Sequence, residues 1–283
     1  MTSRRNSRRN ALNFFMLGLC AACAFVTVST LFVILGFLIY NGAASVSLNF
    51  FTKLPLPPGQ DGGGMANAIL GSAQIVVVAT LIGLPIGFFA GVYLAEYGGK
   101  TFAFIVRYVA DLLNGIPSIV IGIFAWTVIV VPMHHFSALA GSLALSLMLI
   151  PITARSTEQF LLEVPRSMRE GSLALGANKW KTIARVIVPA ARKGIMTGMI
   201  LGVARISGET APLLFTSLNN QYWSTGLSEP TSSLPVMIYY RAISPYDDWH
   251  RQAWAAGLVL LALVLLANIA ARMVISRGTS LPR

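Results

Sequence analysis

Five groupings in this 283-residue sequence bring together side chains that could do chemistry. Cys20 and Cys23 form a C-x-x-C, the spacing used by redox and zinc sites. Gly98-Gly99-Lys100-Thr101 ends as a phosphate-cradling loop ends. His134 and His135 offer two imidazoles. Arg205 and Glu209 stand four apart, one turn of a helix, and a guanidinium presents paired donors to the oxygens of an oxyanion. Glu170, Gly176 and Pro189 punctuate a charged stretch, EGSLALGANKWKTIARVIVPAARKGI, set between long apolar runs.

Three of these dissolve on inspection. A phosphate-cradling loop needs glycine five positions before Gly99, and Leu94 stands there, after an apolar run instead of a strand. Two adjacent imidazoles point in different directions on most backbones, and no third ligand lies nearby, so no metal is expected at His134-His135. Cys20 and Cys23 fall inside an apolar run and read as small packing side chains. The sequence therefore carries no nucleotide site and no catalytic residues, and energy for any work must come from another chain or an ion gradient.

The elements that hold the remaining two groupings are membrane helices. Apolar residues make up 55% of the chain and charged ones only 11%, a balance foreign to water-soluble domains. Uncharged runs cover 14–40, 65–95, 112–154, 194–218 (interrupted by Arg205 and Glu209) and 252–271, each at or above the roughly 20 residues that cross a bilayer core. The run 112–154 is twice that length and holds Val131-Pro132-Met133-His134-His135 near its middle, so it divides into two spans joined by a hairpin. Six spans result.

With an even count both termini share a side. That side carries sixteen Lys and Arg, among them Arg4, Arg5, Arg8, Arg9, Lys100, Arg107, Arg166, Arg169 and Arg272, against Lys53, Arg241 and Arg251 opposite. Positive charge marks the cytoplasmic face, which also explains the net charge of +11 without nucleic acid. Arg155 reads as one more topology charge. Ser7-Arg8-Arg9 has the look of a twin-arginine export signal, but the 27 apolar positions of 14–40 exceed an export core, so an uncleaved span is expected.

Pro55-Leu56-Pro57-Pro58-Gly59 and the glycines that follow mark 41–64 as an outer linker. Gly83, Gly87 and Gly91, at steps of four, would let the second span approach a neighbour closely. The loop 219–250 holds Trp223, Tyr239, Tyr240, Tyr246 and Trp249, suited to an interfacial belt or a docking surface.

In the charged stretch, Leu173, Ala177, Trp180 and Ala184 fall at i, i+4, i+7 and i+11, one apolar stripe, and Gly176 permits a bend between two short helices. This spacing resembles the membrane subunits of ABC-type importers, whose signature is E-A-A, three residues, G, nine residues, I-x-L-P. Glu170, Gly176 and Pro189 match in register, Val186 and Val188 replace Ile and Leu, and Gly171-Ser172 departs from Ala-Ala. The resemblance covers about 65–272. It implies a type I importer (MetI-like) permease fold, an all-α polytopic membrane protein of six transmembrane helices. Its coupling helix would lie in a loop of about 164–193, with Glu170, Gly171, Ser172, Leu173, Ala174, Gly176, Ala177, Trp180 and Pro189 against an ATPase.

Residues 204–217, ARISGETAPLLFTS, and the later SLPVMIY resemble the permease subunits of high-affinity phosphate importers. That resemblance implies a homologous second permease, two cytoplasmic ATPase subunits that bind ATP and Mg, an outside phosphate-binding protein, and no cofactor on this chain. Arg205, Glu209 and Thr210 become candidates for the translocation pathway or its gate. Buried charges in a span cost about 3 kcal/mol or more each unless paired, so Arg205 and Glu209 are expected to pair inside the bundle. The chain then divides into 1–64 (basic terminus, first helix, linker), 65–276 (permease domain) and 277–283 (cytoplasmic tail). Permeation of another oxyanion, sulfate or molybdate, and an ion-coupled carrier are the alternatives; the carrier predicts internal inverted repeats, and none is evident.

Overall fold

The computed structural model describes residues 2–277 except 58, 61 and 225. Residues 278–283 of the expected tail, and the side chains of Arg4, Arg5, Arg8 and Lys100, lie outside that description. Among the described residues the regular structure is all helical. In order the helices are α1 (Thr2–Gly42), α2 (Leu48–Thr52), α3 (Ala66–Glu96), α4 (Lys100–Gly115), α5 (Ser118–Ala125), α6 (Val131–Met133), α7 (Ala138–Leu162), α8 (Arg166–Ala174) and α9 (Lys179–Thr182), then α10 (Val188–Ser207), α11 (Ala211–Thr216), α12 (Leu234–Ala242) and α13 (Asp247–Arg277). Five helices are long and apolar enough to cross a membrane, and a pair bent by 103°, Thr101–Gly115 with Ser118–Met133, makes a sixth crossing if counted as one.

The glycine steps do what their spacing predicts. α3 and α7 lie against each other along most of their length, and a Cβ on Gly87 would sit 2.6 Å from Thr153 Cβ, one on Gly91 2.6 Å from the Ala154 carbonyl oxygen. Backbones this close gain dispersion contacts that lipid cannot match. Around this seam the core forms three layers. Ile75, Leu145, Leu149, Ile206 and Leu213 fill the middle; Leu161, Ile183, Ile187 and Ile195 fill the end carrying most of the arginines; Phe50, Met65, Leu234, Met237 and Ala255 fill the opposite end.

The run 112–154 divides as expected. Trp126–Val130 makes a π-helical turn before α6, His134 takes a left-handed conformation (φ 57°), and Ser137 caps α7 by accepting from the Ala140 N–H at 3.1 Å. α4 goes beyond the sequence reading, which left Lys100 and Arg107 in a loop. Arg107 and Asp111 reach α7 through Glu158 and Arg155, while Phe104, Ile105, Tyr108 and Leu112 are exposed. An apolar outer face with charges tucked inward is the pattern of a helix immersed in lipid, the reverse of one floating on water.

Other expectations change in detail. The stretch 41–64 contains α2, and Phe50 is buried against Met65, so part of it belongs to the core. Within 219–250, α12 buries Leu234, Val236 and Met237, because its N-terminal Leu234 N–H donates to Ser72 Oγ at 2.7 Å and seats it against α3. α1 is exposed along its membrane length and packs mainly on α13, where Phe37 stacks edge-on to Trp254 at 5.4 Å. Cys20 and Cys23 are exposed there, on the lipid-facing length of α1 and outside the core clusters.

Candidate functional site

The charged stretch folds as an arm at the basic end. A turn after α7 leads to Pro165, whose fixed φ starts α8. α8 stops in a Schellman turn: the Gly176 N–H donates to Leu173 O at 2.9 Å and the Ala177 N–H to Ser172 O at 3.2 Å. Gly176 holds φ +83°, a conformation that costs other residues roughly 1–2 kcal/mol. Asn178 then caps α9 by accepting from the Lys181 N–H at 3.1 Å, and the Ser172 and Thr182 hydroxyls join the two limbs at 2.9 Å. A π-helical turn, Ile183–Ile187, passes to α10, with Pro189 in its first turn where no N–H is needed.

The motif residues thus take distinct places. Glu170, Ala174 and Pro189 are exposed, Ser172 and Ala177 half-buried, and Gly171 has open space around it. Leu173, Leu175 and Trp180 are 49%, 91% and 60% exposed, three large apolar side chains with nothing over them. The single stripe expected through Leu173, Ala177, Trp180 and Ala184 is corrected: the Schellman turn ends α8 between the first two, so Leu173 sits on α8, Ala177 in the turn, Trp180 on α9 and Ala184 in the π-helical turn that follows.

The second grouping lies at a break in the fifth span. α10 ends at Ser207, the Gly208 N–H reaches back to Arg205 O at 3.3 Å, and α11 begins at Ala211 with Thr210 before it. Arg205 is exposed, Glu209 and Thr210 are half-buried, and no ion pair joins Arg205 to Glu209. The expected pairing is therefore corrected. Four-residue spacing aligns side chains only on a continuous helix, and Gly208 ends the helix before Glu209. A broken span with ionisable groups at the break can present free backbone groups and charge to a permeating ion.

Residues 83–278 match the family described as binding-protein-dependent transport system inner membrane component. The chain belongs to that family. Within it, the chain is 45% identical over 280 residues to the phosphate transport system permease protein PstA of Yersinia pestis, covering 98% of this chain and 95% of that protein. It is 41% identical over 204 residues to a probable PstA of Methanocaldococcus jannaschii, covering 72% and 73%. A chain of the methionine ABC transporter MetNI in inward-facing conformations shares the fold, with a TM-score of 0.64 at 19% identity, covering 76% of this chain and 96% of that one.

This inner-membrane permease also holds ionic contacts that sequence reasoning missed. Glu158, 1% exposed, accepts from Arg107 Nε at 2.5 Å and from Arg155 at 2.6 Å, and Arg155 Nε reaches Asp111 at 2.9 Å. Arg155 is thus a structural partner of α4, a correction to its reading as a topology charge. Arg107, Arg155 and Glu158, with Gln159, Leu162 and Glu163, line a cavity of about 500 Å³. Arg169 pairs with Glu96 at the end of α3 and donates to Leu161 O at 2.6 Å. The three-residue spacing of Arg155 and Glu158 and the polar stripe of α4 were the available signals.

At the opposite end Arg241 is 2% exposed and faces the Trp249 ring at 5.5 Å. Burial pushes its guanidinium down to about 10. No sequence signal marked it. Among the described residues no group of three metal-ligating side chains gathers, at His134-His135 or elsewhere.

Proposed function

We propose that this permease moves inorganic phosphate inward as half of the membrane channel of an ATP-driven importer. Its companions are a second, PstC-like permease, two PstB-like ATPase subunits that bind ATP and Mg, and a PstS-like phosphate-binding protein. The basic end is the cytoplasmic one, by the excess of positive charge there, and both termini lie on that side. This chain needs no cofactor of its own. One observation carries the reading: a stiff two-limbed arm, closed by Gly176, presents Leu173, Leu175 and Trp180 uncovered at the basic end, in a chain similar along nearly all its length to phosphate permeases. Such an arm, seated on an ATPase, rocks the attached spans as the ATPase closes. Arg205, Glu209 and Thr210, at the broken fifth span, are the pathway or gate.

The test is uptake of phosphate, sulfate and molybdate into vesicles bearing the whole complex. Phosphate-selective uptake that requires ATP and is lost in Glu170→Lys supports the reading. Uptake selective for sulfate or molybdate overturns the substrate, and uptake without ATP overturns the coupling.

A further inference from the structure

Covalently, the arm continues only from α7 and into α10; α3, which carries the glycine seam, ends at Glu96 before the chain turns away into α4. Yet both limbs converge on that one residue. From α8, Arg169 pairs with the Glu96 carboxylate. From α9, Lys179 Nζ donates to the Glu96 backbone carbonyl at 2.6 Å and stands 4.3 Å over the neighbouring Tyr97 ring. The Glu96 side chain is 7% exposed, so the pair is largely shielded from water, where charge contacts are strong and loss of one partner is costly. Arg169 spans the ends of α3 and α7 by also donating to Leu161 O. Val164, Ile183 and Ile187 root the two ends of the arm in the core, and the contacts to Glu96 add a third point, on α3, that sets the angle of the limbs between those ends.

Resting on the reading of the chain as an ATP-coupled permease, we infer that Glu96 is a positioning residue for coupling. It fixes the angle of the arm to the α3–α7 slab, so that displacement of the arm turns the slab instead of bending the arm itself. The contact acts through Arg169 and touches neither phosphate nor nucleotide.

Two readouts test it. In vesicles bearing the complete complex, phosphate taken up per ATP hydrolysed falls in Glu96→Gln, because hydrolysis continues while the arm no longer turns the slab. It recovers for the most part when Glu96→Arg is combined with Arg169→Glu, which restores an ion pair in reversed order. A residue serving only to hold the fold would lower the amount of complex and leave that ratio unchanged. The second readout needs no transport. In a Cys20→Ser, Cys23→Ser background, spin labels at Phe89→Cys and Lys181→Cys report the distance between α3 and the arm. One narrow distribution is expected, broadened by Glu96→Gln and narrowed again in the exchanged pair. A wild-type ratio in Glu96→Gln, a distribution that does not broaden, or an exchanged pair no better than Glu96→Gln overturns the inference. Should Glu96→Gln fail to assemble, the exchanged pair against Arg169→Glu alone decides by the same two measures. A wild-type complex that moves no phosphate overturns the functional reading alone, and the label distances still decide the role of Glu96.

Discussion

Two connectors between spans, the arm 163–187 and the loop 217–233 that leads into α12, solve the same problem in opposite ways. The loop is rich in polar residues, yet both its ends go inside while Tyr222, Trp223 and Leu227 in its middle stay exposed. Its backbone caps other helices: the Ala138 N–H donates to Glu229 O at 3.0 Å and the Leu139 N–H to Leu227 O at 2.8 Å. Thr231, Ser232 and Ser233 are buried with the helix that follows. The arm is rooted in the core at its ends by Val164, Ile183 and Ile187, yet the limbs between carry three large exposed apolar side chains, held by Arg169, Lys179 and the hydroxyl pair Ser172–Thr182. Polarity therefore does not decide which connector is buried. A segment whose backbone completes its neighbours' hydrogen bonds becomes part of the core, and one held by a few side-chain hooks keeps its angle and can move as a unit.

The sharpest way to break this contrast is to attack each region and its supports in turn. Glu158→Ala leaves Arg107 and Arg155 without their shared carboxylate, and a loss of about 3–5 kcal/mol is expected from removing one member of a buried pair; thermal unfolding of the purified protein in detergent measures it. Met237→Ala, inside the loop's buried helix, should cost about 2–5 kcal/mol as a core truncation by the same assay. Gly176→Val, by contrast, should cost stability only about 1–2 kcal/mol from the left-handed backbone while abolishing ATP-dependent uptake, since it opens the turn that stiffens the arm. Equal stability losses for Met237→Ala and Gly176→Val would erase the distinction.

Two smaller effects refine it. Arg241→Met should leave stability unchanged or raise it by up to about 1 kcal/mol, because a buried guanidinium with no acidic partner among the described residues is replaced by an apolar side chain of similar length. Gly171→Ala, in open space within α8, should stabilise the arm by about 0.5–1 kcal/mol and leave uptake intact, in keeping with the Ala-Ala pair of the family signature.

The span count, the hairpin at Pro132, the glycine seam and the bend at Gly176 were legible because each is local: an apolar run, a residue lacking an N–H, a repeat of four, a residue without Cβ. Arg205 and Glu209 were legible as unusual, but their relation was not, since it turns on whether Gly208 continues or ends a helix. Glu96 meets Arg169 across 73 positions and Glu158 meets Arg107 across 51. Such partners are chosen by the tertiary fold, and sequence spacing carries no trace of them. α12 was hidden for the same reason, its burial depending on Ser72 in a distant helix.

α1 has a consequence for how the chain is made. It precedes its main helix partner α13 by about two hundred residues of chain, so it is made well before that partner exists. The Phe37–Trp254 contact closes a loop that embraces nearly the whole polypeptide, and closure entropy places such a contact at the end of folding. Docking of α1 onto α13 is thus a completion mark: a chain interrupted before Trp254 would hold its glycine seam and its arm, but leave α1 without its main helix partner.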